Sequence, residues 1–532
     1  MQAASRRWWK AADYVCAGCV RRQKRAFHVG QHARQEQSIL ELLEERGYVN
    51  QIAGDRNTLS RLLSTRQMGF YAGIDPTAPS LHLGHLLPLM VLFWLYHHGH
   101  HVVSLVGGAT ARVGDPSGRL TSRAKTAENV HQVNFETMFA QVGKIWDNAV
   151  RYGERHGYQQ ANLGEKELLN NASWLGGLNI LDFLKLMGNG MRLGTMLGRD
   201  TVRNRMEKGD GMSFSEFTYP LLQGWDWWHM YQHHGIQVQI GGSDQYGNII
   251  SGMDGVKYIA QTNAGEREKD WLDQGGRLKE DLQPMGLTVP LLTTASGEKF
   301  GKSAGNALWL DRSMTSSFDL YGFLLRSSDE DVARYLRLFT FIPLQQIAAT
   351  MSEHAADPGK REAQHLLASE VLELVHGREE AIKTREEHRS LRNPSLAALA
   401  QQTNMSNGQA ELASSASQRA VLPASLVLTT PFSRILYHAG IAPTKSEGAR
   451  MVAKGGIYVA KAESADESKL TFIQIRDQKP AEVSGFITNG LLVLRIGKWK
   501  TRIVEVVEDA VFDERKLEAP GWQEWKAVRP QR

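Results

Sequence analysis

The chain has 532 residues and a mass of 59.4 kDa, room for about three domains at roughly 150 residues each. Hydrophobic residues make up 42% and charged residues 22%, which excludes whole-chain disorder and a collagen-like fibre. Two cysteines exclude a disulfide scaffold, and a net charge of +5 raises the question of where the basic residues sit.

They sit at the start. Residues 1–35 hold eight basic groups against one acid, a local +7, and the other 497 residues carry −2. An Arg-rich, acid-poor leader without an apolar stretch reads as a mitochondrial transit peptide. Cys16 and Cys19 both fall in it, and a lone C-x-x-C has no second ligand pair for zinc. Ser38 to Gly47 then reads as a short amphipathic helix. Gly69 to Ile74 reads as a buried strand, His82 to Gly99 as a helix, and His101 to Gly107 as a second buried strand. The longest apolar run, Leu86 to Tyr96, has 11 residues where a bilayer needs roughly 20, so no membrane role is expected. Helical material is predicted to about Lys208 and again over Met212 to His234, followed by a strand at Ile236 to Gly241. Strands alternating with long helices indicate a parallel α/β sheet. The charged stretch Ala260 to Pro284 reads as an inserted surface excursion.

From about Ser317 the pattern becomes helical, with charged helices over Ser328–Thr340 and Gly359–Arg392. Pro394 to Arg419 is rich in Ala, Ser, Gln and Asn and reads as a linker or insert. From Pro431 to Glu508 a short helix pair precedes β-like runs at Gly456–Val459, Leu470–Ile475 and Leu491–Ile496.

Two common nucleotide motifs fail on spacing. Gly301-Lys302-Ser303 matches the end of a P-loop, but the first glycine falls at Ser296. Gly188 to Gly194 has one residue too many for a dinucleotide loop. What remains is His82-Leu-Gly-His85, opening a helix after a strand, and Lys299-Phe-Gly-Lys302-Ser303 in a glycine-rich loop. Two imidazoles at a helix N-terminus can meet phosphate, and two lysines can neutralise polyphosphate charge. Taken singly, the histidines also fit a metal or a surface, and the lysines fit ordinary loop composition.

Together, in this order and on an α/β sheet, the two resemble the HIGH and KMSKS motifs of class I aminoacyl-tRNA synthetases. The words around Tyr71–His85, Gly107–Gly118, Phe217–Asp226 and Gln239–Gln245 resemble the tyrosyl-tRNA synthetases, in their mitochondrial, bacterial-like branch. The resemblance implies a Rossmann-like catalytic domain over 36–316, with an insert near 260–284 and a KFGKS loop at 297–305. It further implies an α-helical anticodon-side domain over 317–393, a linker or insert over 394–430, an S4-like RNA-binding domain over 431–510 and a tail over 511–532. L-tyrosine, ATP and tRNA(Tyr) are the implied substrates, Mg2+ is expected with ATP, and a homodimer in the mitochondrial matrix is expected.

Residue by residue, the family's pattern puts Tyr71 and Asp226 on the phenol hydroxyl. Asp115, Tyr219, Gln223 and Gln245 fall on the substrate ammonium. Asp75, Thr77, His82, His85, Gly242, Asp244 and Leu292 fall on ATP. Lys299, Lys302 and Ser303 belong to the mobile loop, and Arg119 and Arg123 to a further pair of cations. Position 83 is Leu and the second motif reads KFGKS, departures that remove no charge. In the C-terminal unit, Lys445, Arg450 and Lys454 are expected on RNA, where 12 basic and eight acidic residues between Pro431 and Glu508 give +4. Two alternatives stay open: tryptophan as the amino acid, which Tyr71 and Asp226 argue against, and an added role on group I intron RNA.

Overall fold

The computed structural model describes residues 38–528 apart from 119, 122–126, 159–161, 264, 266–268, 296, 298–301, 304–305, 393–418, 464–465, 476–479 and 498–499. The expected leader with both cysteines, Arg119, Arg123, Lys299 and most of the expected linker lie outside the described residues. The chain divides into two units, Met1–Ala307 with Arg337–Leu344, and Leu308–Leu336 with Gln345–Arg532.

The first unit is built on a six-stranded sheet of β1 (Gln51–Ala53), β2 (Gly69–Ile74), β3 (His101–Val106), β4 (Lys166–Asn170), β5 (Ile236–Gly242) and β6 (Met285–Val289). The order is β1-β6-β5-β2-β3-β4, parallel except for β1. Three strands, β1, β4 and the short interior β6, were not legible in the sequence. β4 and β1 are the sheet edges, where one side lacks a partner and the apolar signal thins. The sheet is parallel-rich, as expected, with the antiparallel β1 added at one edge.

Helix α1 (Ile39–Arg46) begins with a capping box, in which Ser38 Oγ accepts from Glu41 N and Glu41 Oε2 accepts from Ser38 N, each at 3.2 Å. Gly47, at φ 88°, ends it in the left-handed region. Helices α2 (Arg56–Thr65), α3 (Leu83–His97), α4 (Glu128–Arg155), α5 (Phe214–His234) and α6 (Tyr246–Thr262) pack around the sheet. α3 is apolar nearly all round and correspondingly buried. The segment Arg337–Leu344 joins this unit because the fully buried Arg46 donates to three of its carbonyls: Arg337 at 3.0 Å, Thr340 at 2.9 Å and Ile342 at 2.5 Å. The charged excursion at 260–284 is less solvated than its composition suggests. Leu278 is buried, and Trp271 packs edge-on to Tyr231 at 5.2 Å.

In the second unit, helices α7 (Ser317–Leu325), α8 (Asp329–Phe339, up to Leu336), α9 (Leu344–Ala356, from Gln345), α10 (Glu362–His376) and α11 (Arg378–Arg392) follow one another. The five-stranded C-terminal sheet runs β11-β10-β12-β13-β9, where β9 is Arg419–Pro423, β10 Ile457–Glu463, β11 Asp466–Gln474, β12 Leu491–Ile496 and β13 Lys500–Val507. β9 pairs in parallel with β13, so the end of the expected linker is part of a sheet. The expected tail is structural too: Phe512 and Trp522 are buried in the same apolar core as Phe432, Ile457 and Leu494.

Candidate active site

Where the chain leaves β2 it crosses through α3 to β3, and where it leaves β5 it crosses through α6 to β6, on the other side of the sheet. A crevice opens at the carboxyl ends of two adjacent parallel strands whose connections diverge in this way. A cavity of about 540 Å³ lies there, lined from β2, the turn into α3, the segment after β3, α5, the end of β5 and the segment after β6. It gathers Tyr71, Asp75, Thr77, His82, His85, Asp115, Tyr219, Gln223, Asp226, Gly242, Asp244, Gln245 and Leu292, thirteen residues singled out in the sequence.

At the floor, Tyr71 and Asp226 are buried, at 1% and 3% exposure. The Tyr71 hydroxyl and Gln239 Oε1, on cross-strand neighbours, have no hydrogen-bond partner among the described residues. Asp226 Oδ2 accepts from Asn171 Nδ2 at 2.9 Å, and Oδ1 from Trp174 Nε1 at 2.7 Å. Burial nevertheless dominates and pushes the Asp226 carboxyl up to about 7. Burial, and then the Asp226 charge, hold the Tyr71 phenol well above its ordinary value. A buried hydroxyl beside a buried carboxyl, both with capacity to spare, suits a ligand that brings one hydroxyl of its own.

A second cluster is acceptor-rich. Asp115 accepts from Gln245 Nε2 at 2.6 Å and Asn248 Nδ2 at 3.3 Å. Asn248 also reaches Gln223 Oε1 at 3.2 Å. Tyr219 donates to Asp75 Oδ2 and Thr110 to Asp75 Oδ1, both at 2.7 Å. Asp75, which the sequence places with ATP, is therefore held in the tyrosine-lined part of the cavity, as the acceptor that orients Tyr219. Gly107 is required there, because a Cβ would come within 2.0 Å of Asp75 Oδ1. Such a set of carboxylate and amide oxygens suits a cation.

At the other end, His82 caps α3. Its Nδ1 accepts from Gly84 N at 3.1 Å, and His85 Nδ1 accepts from His82 N at 3.1 Å. The rings stack with centroids 3.8 Å apart. With both Nδ1 atoms occupied as acceptors, each neutral ring carries its proton on Nε2 and is a donor there. Burial, with His82 beside it, drives the His85 imidazole well below its ordinary value. At Gly242 a Cβ would lie 2.5 Å from Asp244 Oδ1, so any side chain there would displace the Asp244 carboxylate. Leu292 lies beyond β6 rather than on a strand, since Pro290 ends the ladder, yet it lines the cavity and is 8% exposed. Lys302 and Ser303 form one strand of a two-residue hairpin, β7 (Lys302–Ser303) with β8 (Asn306–Ala307). Among the described residues, no group of three His, Cys, Asp or Glu is arranged to hold a metal ion.

Asn171, Trp174, Thr110 and Asn248 escaped sequence reasoning. Asn248 had a signal, three residues after Gln245 on the same helical stretch. Asn171 and Trp174 had none, because they follow the unrecognised β4. In the second unit, Lys445 pairs with Glu524 at 3.3 Å and Arg450 with Glu447 at 2.9 Å, all partly or largely exposed, and Lys454 is exposed at the helix C-cap. Exposed pairs of this kind are weak and leave the cations open to exchange partners.

Residues 63–392 match the family of class I tRNA synthetases for tryptophan and tyrosine, and residues 410–524 match the tyrosyl-tRNA synthetase C-terminal domain. The chain is 42% identical over 500 residues to the mitochondrial tyrosine–tRNA ligase of Podospora anserina, covering 91% of this chain and 77% of that protein. It is 38% identical over 484 residues to its counterpart from Drosophila melanogaster, covering 89% and 96%. Among solved structures, a C-terminally truncated Aspergillus nidulans mitochondrial tyrosyl-tRNA synthetase is similar with a TM-score of 0.62 and 45% identity, over 70% of this chain and 99% of that one.

Proposed function

Because the chain belongs to the class I tRNA synthetases, in their mitochondrial tyrosine–tRNA ligase branch, we infer that its cavity activates L-tyrosine with ATP and passes the tyrosyl group to tRNA(Tyr). The observation that carries the assignment to this cavity is the floor pair: a Tyr71 hydroxyl without a hydrogen-bond partner among the described residues, beside a buried Asp226. Phenylalanine would leave the Tyr71 hydroxyl unpaired and give Asp226 nothing beyond its two protein donors, which rejects it strongly without an editing site; tyrosyl-tRNA synthetase is itself the standard worked example of this effect.

In this reading the tyrosine carboxylate attacks the α-phosphorus of ATP and pyrophosphate leaves. A 3′-terminal ribose hydroxyl of the tRNA then displaces AMP. The substrate supplies its own nucleophile, so the protein contributes placement and charge stabilisation. Asp115, Gln223, Gln245 and Tyr219 receive the ammonium. His82, His85 and Thr77 donate to phosphate oxygens, Asp244 accepts from the ribose and Leu292 lies against the adenine. Lys299, Lys302 and Ser303 act on the phosphates from their loop, with Arg119 and Arg123 as further cations. Magnesium is expected to arrive on ATP, and no step here runs through it. Lys445, Arg450 and Lys454 serve the tRNA.

The matrix is the compartment where such a ligase meets mitochondrial tRNA. A homodimer belongs to the same reading, supported by large apolar side chains left exposed on one stretch of the first unit: Ile180 at 63%, Leu181 at 72%, Leu193 at 61% and Phe214 at 78%. The group I intron alternative finds no support in these comparisons.

The test is ATP–pyrophosphate exchange with each amino acid in turn, followed by charging of mitochondrial tRNA. Stimulation by tyrosine alone is expected. Stimulation by tryptophan and not tyrosine would overturn the assignment. Lys302→Ala should abolish most exchange activity, and full activity would contradict the loop's role.

A further inference from the structure

Asp226 and His229 lie three residues apart on α5, so they share one face of that helix. Opposite them, Asn171 and Trp174 are likewise three residues apart, in the turn after β4. Trp174 spans both partners. Its indole N–H donates to Asp226 Oδ1 at 2.7 Å, while its ring lies on the His229 imidazole with centroids 4.4 Å apart and planes 16° apart. His229 itself is half-buried, packed at 4.6 Å from the His233 ring. Burial, and then His233 and His234, hold it down to about 4, so the stacked ring is neutral near pH 7.

We propose that His229 is a positioning residue for tyrosine selectivity: by stacking on Trp174 it fixes the indole N–H on Asp226, and so sets how that carboxyl faces the substrate hydroxyl from outside the cavity. His229 is absent from the residues that line the cavity, so it acts only through Trp174. The inference rests on the reading of Asp226 as the phenol acceptor. Nothing in the local packing demands an imidazole for the fold, since any flat ring would cover the indole. The stack matters because an indole N–H that swings by tens of degrees loses most of its hydrogen bond, leaving a buried carboxylate oxygen short of a donor.

The test uses the full chain and steady-state ATP–pyrophosphate exchange with tyrosine and with phenylalanine. His229→Ala should raise the KM for tyrosine roughly three- to tenfold, the scale of an aromatic pair. The KM for ATP should stay within about twofold, and the preference for tyrosine over phenylalanine should fall by the same factor as tyrosine affinity. His229→Phe, which keeps a stacked ring, should restore wild-type values. Trp174→Phe keeps a ring but deletes the N–H, and should lose about tenfold or more of the preference, as expected for a hydrogen bond to a charged group. The proposal is overturned if His229→Ala leaves tyrosine KM and selectivity unchanged, if it raises both KM values together, or if His229→Phe behaves like His229→Ala. A wild-type protein that failed to activate tyrosine would overturn the functional reading, and this inference with it, a different result from active wild type with a silent His229→Ala.

Discussion

Replacing Tyr71 by phenylalanine removes one oxygen from the floor of the cavity and keeps the ring. That oxygen belongs to a residue 1% exposed and has no hydrogen-bond partner among the described residues. A buried, unpaired polar group costs about 1–3 kcal/mol. Tyr71→Phe should therefore stabilise the free protein by about 1 kcal/mol, seen as a rise in Tm of about 1–2 °C for a unit of this size. The same hydroxyl is the one a tyrosine ligand would meet, at about 0.5–1.5 kcal/mol per neutral hydrogen bond. Tyrosine affinity should fall roughly two- to tenfold, and the kcat/KM ratio of tyrosine to phenylalanine should fall with it. Thermal denaturation and ATP–pyrophosphate exchange read the two effects separately. The two changes must have opposite signs. A lower Tm with unchanged selectivity would show that the hydroxyl serves the fold and would refute the assignment of the floor pair.

Three further outcomes follow from the same geometry. The Asp226 carboxyl is pushed by burial from 3.8 up to about 7, so between about pH 4 and 7 the folded chain keeps a proton that the unfolded chain has released. Its contribution to stability is full below pH 4 and falls as pH rises. Urea midpoints at pH 5 and 7.5 should show a decline that Asp226→Asn flattens, and an equal slope in both proteins would contradict the burial argument. Arg205, fully buried, is held by Glu216 at 3.2 Å and Asp210 at 3.1 Å. Arg205→Ala should cost about 3 kcal/mol, because the carboxylate left behind remains mostly buried, and a loss below about 1 kcal/mol in chemical denaturation would show that Glu216 is rehydrated freely. In the C-terminal unit, a Cβ at Gly448 would lie 2.2 Å from the Ser433 carbonyl oxygen of the neighbouring helix. Gly448→Ala should weaken tRNA charging while leaving ATP–pyrophosphate exchange intact, and a parallel loss of both would place its effect elsewhere.

Much of this site was legible in the chain itself, because its signals are local. Thirteen candidate residues fell in one cavity because a strand, a glycine-rich turn and a helix start each put their residues at the carboxyl end of a strand. The central strands at Gly69–Ile74, without a charged or polar-amide residue, and Leu491–Ile496, apolar but for Arg495, were placed to the residue. The edge strands β1, β4 and β9 were not, since an edge needs less apolar surface and resembles a loop; nor were two interior strands, the short β6 with Gly286 and β13, where Lys500, Arg502 and Glu505 break up the apolar residues. Missing β4 concealed Asn171 and Trp174, the two donors that hold Asp226. Asp75 shows a different limit: its position in a motif suggested the nucleotide, while its bonds to Tyr219 and Thr110 exist only because α5 and the segment after β3 converge on it.

The main helices, half of the strands, the family resemblance and the residue types that the chemistry needs could all be read along the chain, because they are written in spacing and side-chain class. The sequence by itself also located the whole-chain excess of positive charge in the first 35 residues. Which polar atoms are buried, and which of them lack partners among the described residues, emerges only on folding, because burial depends on residues hundreds of positions apart. The unpartnered hydroxyl of Tyr71, the raised carboxyl of Asp226 and the indole held between that carboxyl and His229 are all consequences of that burial.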